Sequence, residues 1–62
     1  MNHRQIEEYR KDNNFHRNES IWVLSTVDKQ TPDLIGKQFG ISSDAVLLIV
    51  DLHQKYWTAT QA

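Results

Sequence analysis

Apolar residues fall in four clusters along the chain, and polar stretches that include one proline and two glycines separate them. The first cluster is thin, because only Ile6 and Tyr9 interrupt the polar segment 3–12. Their spacing of three residues is helical, and the segment is rich in helix-forming residues. We predict a short first helix that packs weakly and stops at Asn13 or Asn14.

The second cluster spans residues 21–27, with apolar side chains spaced three and four apart. Asn18 or Ser20 could cap a helix that ends near Asp28. The run 21–24 would also suit a short buried strand, and periodicity alone does not separate the two. The sequence offers no second convincing strand as its partner, so we predict a helix.

A third helix has clear boundary signals. Thr31 can cap it, Pro32 occupies the first turn where its missing N–H costs nothing, and Asp33 complements the helix dipole. The helix should run to Phe39 and end at Gly40, the residue type that best tolerates a left-handed backbone.

The fourth cluster predicts the longest helix. Ser42 or Ser43 can cap it, Asp44 lies in its first turn, and it should end at about Trp57. We expect residues 58–62 to fray.

These elements predict an all-α fold, a small bundle of about four helices in one domain. Residues 1–17 would form a weakly packed N-terminal segment, 18–57 the core and 58–62 the tail. A chain of 62 residues buries only about 60% of its unfolded surface, so the core is small. No cysteine is present to supplement it with a disulfide, which leaves helix packing or self-association as sources of stability.

The overall charge does not suggest an autonomous nucleic-acid binder. Seven Lys and Arg against eight Asp and Glu give a net charge of −1, whereas such proteins usually carry a basic patch. No stretch approaches the roughly 20 apolar residues that span a bilayer, and the first residues lack the apolar core of a secretory signal. The expectation is a soluble, cytoplasmic protein without a membrane partner.

Residues 32–51 carry a recognisable pattern around two glycines. Gly36 provides a small residue where two helices would cross, Gly40 makes the turn between them, and apolar residues stand at the contact positions: Ile35, Phe39, Ile41, Val46 and Ile49. The pattern resembles the helix-turn-helix superfamily, and LIGKQFGISSDAV is similar to part of sigma-factor DNA-binding regions. The resemblance predicts a helix-turn-helix at roughly 32–57. Two helices packed with a tight turn are the alternative interpretation.

The resemblance implies a small transcriptional regulator that binds DNA. The predicted DNA-contacting residues are Lys37, Ser42, Ser43, Leu47 and Gln54 near the groove, with Arg10 and Arg17 on the phosphates. A homodimer is expected, because two half-sites would raise the affinity of a weakly basic unit. The basic N-terminal residues would otherwise form only a solvated charged face.

A second hypothesis is a protein-interaction module that uses the same scaffold to bind RNA polymerase or another regulator. It rests on acidic and apolar residues in the last helix where basic ones would be expected. The predicted partner surface consists of Asp44, Leu47, Val50, Asp51 and Trp57.

The last helix has an unusually broad apolar arc. At about 100° per residue it covers roughly 200° of the helix, and it includes His53. We expect its members to be mostly core: Ala45, Val46, Leu48, Ile49, Val50, Leu52, Tyr56 and Trp57. Leu47 lies on the opposite arc and is the one expected exposed residue among the six consecutive apolar positions 45–50. Part of the arc would alternatively be a dimer or partner surface.

No catalytic or cofactor chemistry is indicated. His3, His16 and His53 share no metal-ligand spacing. No histidine is placed to activate a serine, and no phosphate-cradling glycine loop is present. We therefore expect neither an enzyme nor a metal or cofactor site.

Overall fold

The computed structural model describes residues 1–61, and these residues form four α-helices and no strand. The helices are α1 (His3–Arg10), α2 (Phe15–Thr26), α3 (Pro32–Phe39) and α4 (Ser43–Gln61). The prediction of a small all-α bundle is confirmed.

Helix α1 begins with a reciprocal cap. The Asn2 side chain accepts the Gln5 N–H at 2.9 Å, and the Gln5 side chain accepts the Asn2 N–H at 2.9 Å. This arrangement satisfies two amide donors that a helix start leaves without an internal partner. The exposed side of α1 carries an ion pair between Arg4 and Glu8, one turn apart, which contributes little to stability because solvent screens it.

Helix α2 begins earlier than the sequence predicts. Its first residue is Phe15 and Asn14 precedes it as the cap residue, so the prediction of a cap at Asn18 or Ser20 is wrong. Asn18 lies inside the helix and is buried, and its side chain hydrogen-bonds to Tyr9 of α1 instead of to a helix end. A cap residue predicted from local sequence is thus used for a contact between helices.

The link from α2 to α3 is short and held by backbone bonds. Lys29 adopts a left-handed conformation with φ of 58°, and the Gln30 N–H donates to the Leu24 carbonyl at 3.0 Å. Thr31 then caps α3 by accepting the Leu34 N–H at 3.3 Å, and Pro32 occupies the first turn. Both boundaries predicted for α3 are confirmed.

A tight turn joins α3 to α4. Gly40 has a left-handed φ of 69°, and the amides of Gly40 and Ile41 both donate to the Gly36 carbonyl. Gly36 lies where the two helices meet, because a β-carbon there would stand 2.5 Å from the Ile41 carbonyl oxygen. Each glycine is thus required for a different reason, one for its backbone angle and the other for space.

Helix α4 is longer than predicted. Ser42 caps it by accepting the Ala45 N–H at 3.1 Å, as expected. The helix continues through Gln61, so the prediction that it ends at about Trp57 is wrong, and Ala62 lies outside the described residues. Thr58 accepts a hydrogen bond from Gln54, and Ala59 and Thr60 are half-buried, so this last turn has contacts that extend the helix.

The apolar core lies between α2, α3 and α4. Ile21, Ile35 and Val46 supply one fully buried side chain from each helix, and partly buried residues surround them: Leu24, Phe39, Ile41, Ile49 and Val50. Helix α1 contributes no residue to this cluster. None of the helices in residues 1–61 combines the length and apolar character needed to cross a membrane.

Candidate interaction face on the fourth helix

Three leucines of α4 are exposed. Leu47, Leu48 and Leu52 have 55%, 73% and 38% of their surface accessible. The prediction that Leu47 alone is exposed is wrong for Leu48 and Leu52. Successive helical residues are about 100° apart, which places Leu48 about 160° around the helix from buried Val46. Helices α2 and α3 cover only one side of α4. The apolar arc is broader than the covered side, so Leu48 and Leu52 are left exposed.

Two carboxylates accompany these leucines. Asp44 and Asp51 are both exposed, and their spacing of seven residues puts them on one side of α4, two turns apart. Lys55 forms an ion pair with Asp51, with the Nζ atom 3.1 Å from Oδ2. We call the surface formed by Asp44, Leu47, Leu48, Asp51 and Leu52 the leucine face.

The other residues predicted for a partner interface have different surroundings. Val50 is half-buried and packs against the core, so it lies beneath the surface. Trp57 is 43% exposed and stacks on Trp22, with ring centroids 5.2 Å apart and an angle of 32° between the ring planes. Helical spacing keeps Asp44, Leu47 and Asp51 together on the exposed side.

Both arginines predicted to contact phosphate are engaged within the fold. The Arg10 guanidinium donates to the Tyr56 hydroxyl at 2.8 Å and lies 5.7 Å from the centre of that ring. Arg17 donates twice to the Asn18 side-chain oxygen, at 3.2 and 3.0 Å. These contacts hold the two cations against the junction of α1, α2 and α4.

The residues predicted to reach DNA bases are also partly occupied. Gln54 accepts the Trp22 indole N–H at 3.0 Å and donates to Thr58 at 3.3 Å. Ser42 acts as the cap of α4, and Ser43 is half-buried in its first turn. Lys37 and Leu47 remain exposed, on α3 and α4.

A buried polar cluster that the sequence does not predict lies between α1, α2 and α4. Its centre is the Tyr9 hydroxyl, 2.8 Å from His53 Nδ1 and 3.3 Å from the Asn18 amide nitrogen. His53 is 1% exposed. Phe15, Tyr56 and Trp22 pack around the imidazole, with ring centroids 5.3 to 5.6 Å away. The one signal in the sequence is a histidine within the apolar arc of the last helix.

Burial shifts the pKa of both central groups toward the neutral form. Burial lowers the pKa of His53 below its usual value, and the Glu19 carboxylate opposes this with a smaller effect. Burial raises the pKa of Tyr9 and the charge of Asp12 adds to the rise, while the hydrogen bond from Asn18 opposes it. Both shifts favour the uncharged forms of the imidazole and the phenol.

Within residues 1–61 no three His, Cys, Asp or Glu side chains are arranged to hold a metal ion. Comparisons with protein families, with curated proteins and with solved structures find no match to this chain.

Proposed function

We propose that this chain is a protein-interaction module that binds a helix of a partner protein through the leucine face of α4. The observation that carries this proposal is the exposure of Leu47, Leu48 and Leu52 on one helix. Clustered apolar side chains on a surface often mark contact sites for other proteins, because burying them against a partner is favourable.

The charges beside these leucines favour a basic partner helix. Asp44 and Asp51 would repel the phosphates of DNA, whereas Lys or Arg side chains seven residues apart on a partner helix would match them. A helix with apolar residues between two such basic positions fits the way amphipathic helices dock on apolar surfaces. A segment of RNA polymerase or of another regulator would meet this description.

The test is affinity capture from a lysate of the source cells with immobilised wild type and a Leu48→Glu variant. Val27→Glu is the matched control, because it places the same charge at another exposed apolar residue that does not belong to α4. Val27 is 65% exposed and lies at the end of α2. We expect a partner that wild type and Val27→Glu retain and Leu48→Glu loses. Equal capture by all three proteins would show that the leucine face is not the interface.

DNA binding is a second candidate, favoured by the close crossing at Gly36 and the tight turn before α4. This arrangement agrees with the resemblance to helix-turn-helix proteins, although a fold does not determine a function. Fluorescence anisotropy with a labelled duplex at low salt tests it. Micromolar, salt-sensitive binding weakened by Lys37→Glu supports the candidate, and the absence of such binding removes it.

A further inference from the structure

The Tyr9 hydroxyl connects three helices at one buried point. Tyr9 belongs to α1, Asn18 to α2 and His53 to α4, and the two partners lie 3.3 and 2.8 Å from the phenol oxygen. The hydroxyl can donate one hydrogen bond, and the Asn18 amide nitrogen can only donate. The phenol therefore accepts from Asn18, and it donates to His53 in the neutral tautomer of the imidazole whose proton is on Nε2 and whose Nδ1 is an acceptor.

Protonation of His53 would disrupt this arrangement. Nδ1 would become a donor, so the phenol oxygen would face two donors and its own hydrogen would lose its acceptor. A positive charge would also be placed among aromatic rings at a site shielded from water. Both effects favour a conformation in which the imidazole reaches solvent.

Helix α1 is the element that can leave at the lowest cost. Among its eight residues only Tyr9 is buried, and the core of Ile21, Ile35 and Val46 includes none of them. Its other bond to the bundle joins Arg10 to the Tyr56 hydroxyl. A helix this short is also unstable by itself in water, so detached α1 would lose its helical structure.

We propose that protonation of His53 detaches α1 from the bundle and leaves α2, α3 and α4 folded. Detachment exposes the aromatic rings of the cluster. The newly exposed surface adjoins Leu52, because Leu52 lines one cleft together with Tyr9 and Glu8 of α1. Acidification thereby enlarges the apolar surface of α4. This device is independent of the proposed partner, since it depends on the cluster and not on the leucine face.

The charged groups around the imidazole act in both directions. Arg10 on α1 and Arg17 on α2 both donate to side chains of the cluster and would repel an imidazolium. Glu19 on α2 attracts it, and its influence is smaller than that of burial. Asp12 after α1 raises the pKa of Tyr9 through its charge, and the Tyr56 phenol on α4 does the same. The exposed His16 ring meets Phe15 edge to face.

The direction of the pH effect follows from the coupling between proton binding at His53 and the docking of α1. The docked state binds a proton on His53 less readily than the detached state, in which the imidazole titrates near its usual pKa of about 6.5. The ratio of docked to detached α1 therefore falls by up to about tenfold per pH unit as pH drops below that value. The fall ends below the pKa of docked His53.

NMR on the isotope-labelled chain between pH 8 and pH 4.5 tests the proposal. We expect the helical Cα shifts of residues 3–10 and the contacts between the Tyr9 and Tyr56 rings to disappear together. Their midpoint should coincide with titration of the His53 ring, while the shifts of α2, α3 and α4 stay helical. One transition for all four helices, or a docked α1 after His53 has titrated, overturns the proposal.

Substitution of the histidine provides an independent readout. His53→Asn keeps an acceptor oxygen near the position of Nδ1 and cannot become charged in this range. We expect α1 to stay docked at pH 5 in this variant, and His3→Asn and His16→Asn, which replace exposed histidines, to keep the wild-type transition. A wild-type transition in His53→Asn contradicts the proposal. If His53→Asn does not fold, the test is whether α1 detachment and His53 titration have the same midpoint in the wild-type protein.

Discussion

Gly36 lies so close to the carbonyl of Ile41 that a β-carbon at residue 36 would stand 2.5 Å from that oxygen. The oxygen belongs to the backbone, so neither side can yield without moving α3 relative to α4. The same Gly36 accepts the Ile41 amide through its own carbonyl, at 3.0 Å. The crossing of the two helices is thus fixed at one pair of residues.

Gly36→Ala should destabilise the protein by about 1–3 kcal/mol, because relief of the contact requires a backbone shift. Gly40→Ala should cost about 1 kcal/mol for a different reason, its left-handed φ of 69°, since the space around it is open. Gly40→Asn should cost less, because Asn tolerates that conformation. Urea denaturation measures all three, and a Gly36→Ala protein as stable as wild type would contradict the close contact.

Ser42→Ala should lower the free energy of unfolding by about 1 kcal/mol, because the Ser42 hydroxyl caps α4 through the Ala45 amide. Ser43→Ala is the matched control and should change stability by less than about 0.5 kcal/mol. Thermal denaturation followed by circular dichroism provides the comparison. Equal effects of the two substitutions would show that the cap is not formed by Ser42.

Ile35→Ala should destabilise the chain by about 2–5 kcal/mol, since Ile35 is fully buried in the core. A protein of this size has little stability to lose, so the variant should be largely unfolded. Leu48→Ala should change stability by less than about 0.5 kcal/mol, because Leu48 is 73% exposed. Chemical denaturation tests the pair, and a large loss at Leu48 would place that side chain in the core.

Tyr9→Phe should cost about 1–3 kcal/mol at pH 7, because His53 and Asn18 each lose the hydroxyl as a partner. The cost should shrink in strong alkali. The pKa of Tyr9 is raised in the folded state, so the stability linked to its neutral form is complete below about pH 10 and is lost as pH rises through the folded-state pKa. Denaturation of both proteins at pH 7 and pH 11 measures this, and a constant difference would contradict the burial of the phenol.

Local signals predict the part of the fold that local chemistry determines. The cap at Thr31, the proline in the first turn of α3 and the glycine at its end all act within a few residues, and the structure has the same boundaries. Asn18 has the same chemistry as a cap residue, but its partner Tyr9 is nine residues away and on another helix. No local pattern distinguishes these two uses.

The candidate site is predictable only in part, for a related reason. Helical spacing alone places Asp44, Leu47 and Asp51 on one side of α4. Spacing does not say how much of a broad apolar arc the neighbouring helices cover, so it predicts Leu48 in the core although that side chain is exposed. The cluster around His53 depends on where α1 docks, and the thin apolar stripe of α1 gives little indication of that.

The small core has a consequence for the amount of protein a cell maintains. With one fully buried apolar side chain from each of three helices, the folded state has a narrow margin of stability. A partner that binds the leucine face, at a free concentration 100 times its dissociation constant, would add about 2.7 kcal/mol to the free energy of unfolding. This gain is comparable to that margin. Copies without a partner would unfold more often and be degraded first. Under the proposed function, the abundance of this chain should follow that of the protein it binds.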